Sequence, residues 1–240
     1  MSWAERLDQL ELLDGDDIPQ ADLERNLVEL DIINRRLGGH RITLAGMERL
    51  IWTPRVRIIL QQRPLRICEI GCGGGDNLWV IDRWARRRNI RLDIVGVDLK
   101  ETCTAYAERK RWHNPTFWMT RDYREFDLDV DIIFSSLFCH HFPDEELPPM
   151  LRWMNEHASA GFFINDLHRH PLAYHSIKWL TRAFSRSYLV KNDAPLSVRR
   201  AFVHRDWDRY LTEAGLSHAS VYWKWAFRWL VVAPKPVHVP

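Results

Sequence analysis

Residues 66–81 read Arg66-Ile67-Cys68-Glu69-Ile70-Gly71-Cys72-Gly73-Gly74-Gly75-Asp76-Asn77-Leu78-Trp79-Val80-Ile81. A short apolar run ends in a glycine cluster, and apolar residues at helical spacing follow it, which is typical of a buried strand that turns sharply into a helix. Glycine suits such a turn because it adopts backbone angles that are costly for other residues and lets a ligand approach the main chain. The stretch therefore predicts a nucleotide-type site, with a helix that begins near Asp76 or Asn77.

The order of residues in this turn argues against two common nucleotide sites. A phosphate-binding loop carries Lys and then Ser or Thr after its last glycine, and Asp76-Asn77 stands there instead. A dinucleotide fold places its glycines as G-x-G-x-x-G, and the stretch from Gly71 to Asp76 lacks the last of them. Hydrolysis of ATP or GTP is thus disfavoured, and so is a nicotinamide oxidoreductase.

Carboxylates stand at two strand ends near the glycines. The pattern from Glu69 to Gly75 is Glu-x-Gly-x-Gly-x-Gly, and Asp98 ends the next β-branched run, about 20 residues further on. An acidic strand end can accept from the ammonium of a cationic ligand, and a carboxylate at the second position can bind both ribose hydroxyls. An isolated Asp at a strand end is otherwise usually a helix cap. In these features the sequence resembles the class I methyltransferases that use S-adenosylmethionine.

The resemblance implies which residues bind S-adenosylmethionine. After the third strand the family commonly places an acid that accepts from the adenine amino group. Asp122 is the candidate here, the alternative being a surface loop acid, and Tyr123 would lie near the base. The expected cofactor-binding residues are Glu69, Gly71, Cys72, Gly73, Asp98, Leu99, Asp122, Tyr123 and Ser135.

Candidate catalytic residues follow the fourth and fifth strands. His140 comes directly after the fourth strand, where a neutral imidazole could take a proton from a substrate hydroxyl, or could only brace the loop. Asp166 and His168 follow the fifth strand and would form an acid-oriented base, unless this loop is simply polar surface. No metal site is expected for the pair His140-His141, since no carboxylate or thiol stands at ligand spacing on the same element.

The order of elements predicts an α/β fold: a Rossmann-like, doubly wound sheet that is mostly parallel and closes with a C-terminal antiparallel hairpin strand. Residues 1–63 are expected to form a helical cap, with amphipathic residues 2 to about 13 in its first helix. Residues 64–240 would form the cofactor-binding domain, with a lid insertion at about 170–204 that is broken at Asn192-Asp193-Ala194-Pro195.

The composition limits the classes of protein to which this chain can belong. The chain has 240 residues, of which 46% are hydrophobic, and a formal net charge of +2, so one substantial core is expected and nucleic-acid binding is not favoured. The N-terminus lacks the apolar core of a signal peptide, and no run approaches the roughly 18 apolar residues of a spanning helix. A cytoplasmic protein without a membrane span is the expectation.

The sequence thus favours methyl transfer from S-adenosylmethionine to a small apolar or aromatic hydroxylated molecule, such as a phenol, a quinol, or a polyketide-like or lipid-like compound, at oxygen or carbon. An RNA- or protein-modifying methyltransferase and a non-catalytic scaffold that retains the fold are the alternatives. The stretch Ser135-Ser136-Leu137-Phe138 argues against methylation of an exocyclic amino group, because it lacks the Asn-Pro-Pro-aromatic signature. Association into a homodimer is left open.

Overall fold

A seven-stranded sheet forms the centre of the computed structural model, which describes residues 3–15, 17–125 and 129–235. The strand order is β3-β2-β1-β4-β5-β7-β6; neighbouring strands from β3 to β5 pair in parallel, and β7 runs antiparallel to both β5 and β6. The strands are β1 (Leu65–Ile70), β2 (Leu92–Asp98), β3 (Thr116–Thr120), β4 (Val130–Ser136), β5 (Ala158–Leu167), β6 (Ser220–Lys224) and β7 (Arg228–Pro234). The predicted fold class, including the antiparallel closing hairpin, is confirmed.

The central strands are apolar runs because helices cover both faces of the sheet. Every residue of β4 is buried, and the rings of Phe134 and Phe163 stack at 4.8 Å on one face. Strand order reverses between β1 and β4, where Glu69 pairs with Phe134. In open α/β sheets a crevice for ligands forms at this switch, beside the carboxyl ends of the strands.

Nine α-helices surround the sheet in the described part of the chain. They are α1 (Gln20–Arg36), α2 (Gly39–Ile51), α3 (Pro54–Gln62), α4 (Asp76–Arg87), α5 (Glu101–Glu108), α6 (Leu147–His157), α7 (Pro171–Phe184), α8 (Tyr188–Arg200) and α9 (His204–Glu213). Helix α4 begins at Asp76, as the glycine turn predicts. Pro54 starts α3 at its first turn, where its missing N–H costs nothing.

The predicted first helix is absent. Residues 3–11 have no helical structure, and a single 3₁₀ turn covers Leu12–Asp14. Three backbone donors of this N-terminal segment (residues 3–14) bond to distant groups instead. Leu7 N–H donates to the Arg199 carbonyl at 3.1 Å, and the N–H groups of Leu12 and Leu13 donate to the Asp193 carboxylate, each at 2.9 Å. Tertiary bonds to α8 therefore replace the local bonds of a helix.

Helix α8 also differs from the prediction, because no break occurs at Asn192-Asp193-Ala194-Pro195. Pro195 lies inside the helix, and Ser197 Oγ donates back to the Asp193 carbonyl at 2.9 Å. The Asp193 side chain, which reads as a helix breaker in the sequence, instead binds the N-terminal segment. A tertiary partner for Asp193 thus explains why the helix continues.

All four cysteines, Cys68, Cys72, Cys103 and Cys139, are buried free thiols. Among the helices just given, none is both long and apolar enough to cross a bilayer.

Candidate functional site

The glycine turn lies between β1 and α4, at the point where the strand order reverses. Gly71, Gly73 and Gly75 have φ angles of +63°, +50° and +67°, a region that glycine adopts without strain. A Cβ added at Gly71 would collide with the ring of Phe138, which follows β4. Cys72 N–H donates to the Val97 carbonyl at 3.0 Å and ties the turn to β2. The backbone is thus held in a shape that only this glycine pattern permits.

Glu69 lies buried at the end of β1, with one oxygen still free to accept. Its Oε1 accepts from Asn77 Nδ2 at 3.2 Å, whereas Oε2 has no hydrogen-bond partner within the described ranges. Burial, and secondly the charge of Asp76, raises the pKa of the Glu69 carboxyl well above its ordinary value. A buried acceptor without a donor is costly, so a cationic group at this point would be bound favourably. The residue therefore fits the ammonium of S-adenosylmethionine.

Asp98 ends β2 beside the same turn. Its Oδ2 accepts from Gly73 N–H at 2.8 Å, and its Oδ1 accepts from Lys100 N–H at 3.0 Å. Burial raises the pKa of this carboxyl. Each oxygen keeps acceptor capacity for a ligand hydroxyl, since a carboxylate offers about four lone-pair positions. Leu99 follows with a side chain that is 69% exposed.

Three other residues expected at the cofactor are already engaged with protein groups. Asp122 forms an ion pair with Arg124 at 2.6 Å, and the hydrogen bonds from Arg124 lower the pKa of Asp122. The Tyr123 ring packs edge-on against Trp153, and burial raises the pKa of its hydroxyl to about 12. Ser135 Oγ lies 3.5 Å from Cys139 Sγ inside the core. These contacts leave the glycine turn, Glu69 and Asp98 as the part of the site most open to a ligand.

The second group of polar residues surrounds His140, on the 3₁₀ turn Cys139–His141 after β4. His140 Nδ1 lies 2.8 Å from Asp166 Oδ1, and both side chains are buried. Burial opposes charge on Asp166, but the charge and hydrogen bond of His140 outweigh it and lower the pKa of the carboxyl. An ionised Asp166 only accepts, so Nδ1 carries the hydrogen of this bond and Nε2 is the nitrogen left for another partner.

The expected pair of Asp166 with His168 does not form. Successive residues of a strand point to opposite faces, so Asp166 and His168 share a face but are separated along the strand axis. His168 Nδ1 accepts from Trp223 Nε1 at 3.2 Å, on the closing hairpin. Burial, and then the nearby charges of His170 and Arg169, lowers the pKa of His168 to about 4. Asp166 thus orients His140, and His168 packs among aromatic rings.

Glu11 of the N-terminal segment is a site residue that the sequence analysis missed. It is 5% exposed, and its Oε1 lies 3.6 Å from His140 Nε2 while Oε2 lies 3.9 Å from His141 Nε2. Ser197 Oγ donates to Glu11 Oε1 at 2.8 Å. Asp14 binds the other nitrogen of His141, Nδ1, at 2.7 Å. The sequence signal available near Glu11 was the amphipathic spacing of residues 2 to about 13. It predicted a helix rather than the non-helical segment that brings Glu11 to His140 and His141.

A cavity of about 310 Å³ opens beside these residues. Glu11, His140 and His141 provide polar groups at its wall, and most of the remaining surface is apolar. Apolar side chains come from α1 and the residue after it, the loop after β4, the end of β5, α7, α8 and the turn between β6 and β7, among them Leu30, Leu37, Leu137, Leu167, Ile177, Leu180, Val190, Val198 and Phe227. We call this space the acceptor cavity; His168 is not among the described residues that line it.

Comparisons with known proteins agree with this geometry. Residues 67–161 match the family model described as a methyltransferase domain, and no curated protein matches the chain significantly.

Solved structures with the same fold carry S-adenosylmethionine or its product. Magnesium protoporphyrin IX methyltransferase (ChlM) from Synechocystis PCC 6803, with bound S-adenosylmethionine, aligns with a TM-score of 0.55 at 17% identity, covering 94% of this chain and 88% of that one. The plantazolicin methyltransferase BpumL, in complex with a pentazolic desmethyl analogue and S-adenosylhomocysteine, aligns with a TM-score of 0.59 at 13% identity, covering 88% of this chain and 91% of that one.

Proposed function

We propose that this chain, whose residues 67–161 match a methyltransferase domain, transfers a methyl group from S-adenosylmethionine to a small apolar or aromatic molecule, at a hydroxyl oxygen or an activated ring carbon. The observation that carries the proposal is His140, which lies at the wall of a mostly apolar cavity and is paired with the buried Asp166. A phenol or quinol is complementary to this wall, because it has an apolar ring and a polar group at one edge. Ligand sites with few polar groups in an apolar wall fix orientation in this way.

The glycine turn and the two carboxylates beside it would hold the cofactor. Glu69 Oε2 would accept from the ammonium group, Asp98 would accept from the ribose hydroxyls, and the backbone of Gly71 and Gly73 would lie against the ligand. When bound, S-adenosylmethionine supplies an electrophilic methyl group on a sulfonium. The described carboxylates therefore serve cofactor binding, and the acceptor side provides the rest of the chemistry.

Residues of the acceptor side remove a proton and exclude water. His140 Nε2 takes the proton of the acceptor hydroxyl, and Asp166 stabilises the imidazolium through Nδ1–H. The N-terminal segment and α1, together with helices α7 and α8 of the lid insertion, provide much of the wall that closes the cavity. Much of the rate acceleration comes from holding the nucleophile in line with the methyl group.

A larger groove of about 900 Å³ lies along α4 and is open to solvent. Its wall carries Arg83, Arg86, Arg87 and Arg111, together with Asp31 and Asp76. Because the wall of this groove is charged, whereas that of the acceptor cavity is mostly apolar, a small apolar acceptor belongs in the cavity instead. A polyanionic acceptor such as RNA would favour the groove, and the experiment below separates the two.

The test is methyl transfer from deuterium-labelled S-adenosylmethionine to a panel of phenols, quinols and polyketide-like compounds, with product masses as the readout. Total RNA and bacterial protein extract form parallel arms. We expect transfer to at least one small molecule, and a decrease in kcat of roughly 10²- to 10³-fold in His140→Gln. His204→Gln is the matched control, because it removes an exposed His–Asp pair on α9 and should leave kcat unchanged. Labelling confined to the RNA or protein arm would overturn the proposal.

A further inference from the structure

Three metal-binding side chains converge at the wall of the acceptor cavity. One ligand atom each from Glu11, His140 and His141 lies within 4.8 Å of the other two. The Nε2 atoms of the histidines face the same carboxylate, at 3.6 Å for His140 and 3.9 Å for His141. Ligands bound to Zn²⁺ at 2.0–2.2 Å in tetrahedral geometry lie about 3.4 Å apart. The three groups are thus close to the spacing that one ion would impose.

Each histidine is oriented through its other nitrogen by a separate carboxylate. Asp166 binds His140 Nδ1 at 2.8 Å, and Asp14 binds His141 Nδ1 at 2.7 Å. A metal-bound histidine usually donates its other ring N–H to a carboxylate or carbonyl, because this hydrogen bond fixes the ring and raises its basicity. In both residues this leaves Nε2, the nitrogen that faces Glu11, as the electron-pair donor.

The backbone of the histidine pair and the Glu11 side chain are also held in place. Arg200 donates to the carbonyls of His140 and His141 at 3.1 and 2.7 Å, and it forms an ion pair with Asp14 at 2.8 Å. Ser197 donates to Glu11. Ligand side chains that neighbouring hydrogen bonds hold in place are what separates a metal site from a chance cluster of polar groups.

We propose that Glu11, His140 and His141 bind one divalent transition-metal ion, with an open coordination position toward the acceptor cavity. Two imidazoles and one carboxylate suit Zn²⁺, Fe²⁺ or Co²⁺ better than Mg²⁺ or Ca²⁺, which prefer oxygen ligands. The expectation of no metal rested on ligands from a single element. The carboxylate comes instead from the N-terminal segment, far away in the sequence.

The role of this ion rests on the proposed function. An acceptor hydroxyl in the open position would lose its proton to solvent at a lower pH, because a bound cation stabilises the oxyanion. The oxygen lone pair then forms the new O–C bond, while the S–C bond breaks and its electron pair stays on sulfur. With the ion bound, His140 Nε2 is a ligand, and the proton goes to solvent rather than to His140.

A second cluster supplies the matched control. Asp31, His40 and Asp76 also bring ligand atoms within 4.8 Å of one another, but with one histidine and two carboxylates. His40 Nε2 is already 2.8 Å from Asp76, and it lies outside the acceptor cavity. Substitution at His40 should therefore leave the proposed ion in place.

The experiment is calorimetric titration of the chelator-treated full chain with Zn²⁺, and separately with Co²⁺ while its visible absorption is recorded. We expect one equivalent to bind, with the intense Co²⁺ bands of a four-coordinate site. Affinity should fall by roughly 100-fold in Glu11→Gln and in His141→Gln, and stay unchanged in His40→Gln. Thermal unfolding without metal shows whether each variant is folded. If Glu11→Gln loosens the N-terminal segment, His141→Gln still tests the site, because it leaves the Glu11–Ser197 bond intact.

No binding to the folded parent protein would overturn the site, as would equal affinity in the parent and both ligand variants. These titrations need neither cofactor nor acceptor, so their outcome is independent of whether an acceptor has been found. Once an acceptor has been found, chelation should lower the rate of methyl transfer at least 10-fold, and addition of Zn²⁺ or Co²⁺ should restore it. An unchanged rate in the metal-free enzyme would mean that the ion takes no part in the reaction and that His140 accepts the proton.

Discussion

The glycine turn and the acceptor cavity lie at the same edge of the sheet but are built differently. The turn is local: Glu69, the three left-handed glycines and Asn77 lie within nine consecutive residues, and Asp98 Oδ2 binds the backbone of the turn. The cavity is assembled from an N-terminal segment, two strand ends, two lid helices and the closing hairpin. Backbone geometry positions the first region, whereas tertiary hydrogen bonds position the second. Substitutions in the two regions should therefore fail in different ways.

The largest expected effect is on the turn itself. Gly71→Ala places a Cβ in the Phe138 ring and forces a non-glycine residue to φ +63°. Backbone strain of roughly 1–2 kcal/mol and overlap of roughly 1–3 kcal/mol together predict a loss of about 4 kcal/mol in the free energy of unfolding. Urea unfolding measures it.

Gly215→Ala is the matched control for Gly71→Ala. Gly215 has φ +74°, but an added Cβ there meets nothing within 4 Å. It should cost only the backbone strain, about 1 kcal/mol. Equal losses in the two variants would show that the approach of Phe138 does not decide the turn.

The next effect is on cofactor affinity. Asp98→Ala removes the carboxylate proposed to bind the ribose and also its bonds to the N–H groups of Gly73 and Lys100. Loss of charge-assisted hydrogen bonds should weaken S-adenosylhomocysteine binding about 100-fold by calorimetry. Leu99→Ala changes the exposed neighbour and should weaken binding only a few-fold. Similar affinities in both variants would place the ribose elsewhere.

Glu69→Gln should separate cofactor affinity from stability. The folded-state pKa of Glu69 is raised, so the unfolded chain loses this proton first and the parent protein loses stability as pH rises above about 4.5. The glutamine variant escapes that loss, so it should be about 1 kcal/mol more stable at pH 7 and of equal stability near pH 4. Its affinity for the cofactor should fall about 10-fold, because the ammonium would meet a neutral amide oxygen instead of an anionic carboxylate. Thermal unfolding across this pH range and calorimetry measure both, and a variant less stable at pH 7 would contradict the argument.

The same contrast explains what could be predicted from the sequence. The resemblance to S-adenosylmethionine-dependent methyltransferases is confirmed, and so is the fold with its closing hairpin, because glycine spacing and apolar strand runs are local patterns. The prediction was wrong for residues 3–11, which are not helical, and for Pro195, which lies inside α8. In both places Asp193 forms hydrogen bonds that sequence periodicity does not show.

The site residues divide along the same line. Asp166 was expected beside His168, which is near in sequence, but it contacts His140 on the neighbouring strand end. Glu11 carries no motif, and only the docked N-terminal segment brings it to the histidines. The roles assigned to Glu69, Asp98 and His140 stay predictions that the experiments above decide.

The smallest expected effect is on acceptor binding alone. Ile177→Ala on α7 shortens an apolar side chain that lines the acceptor cavity, without touching the glycine turn. Losing about three methylene-sized groups from a half-buried position should raise KM for the acceptor about five-fold, with kcat and cofactor affinity unchanged. Trp179→Ala, two residues along and 70% exposed, is the control and should leave KM as it is. A fall in kcat with constant KM would mean that the lid positions the acceptor for reaction rather than binding it, and the two regions would then be less separable than their construction implies.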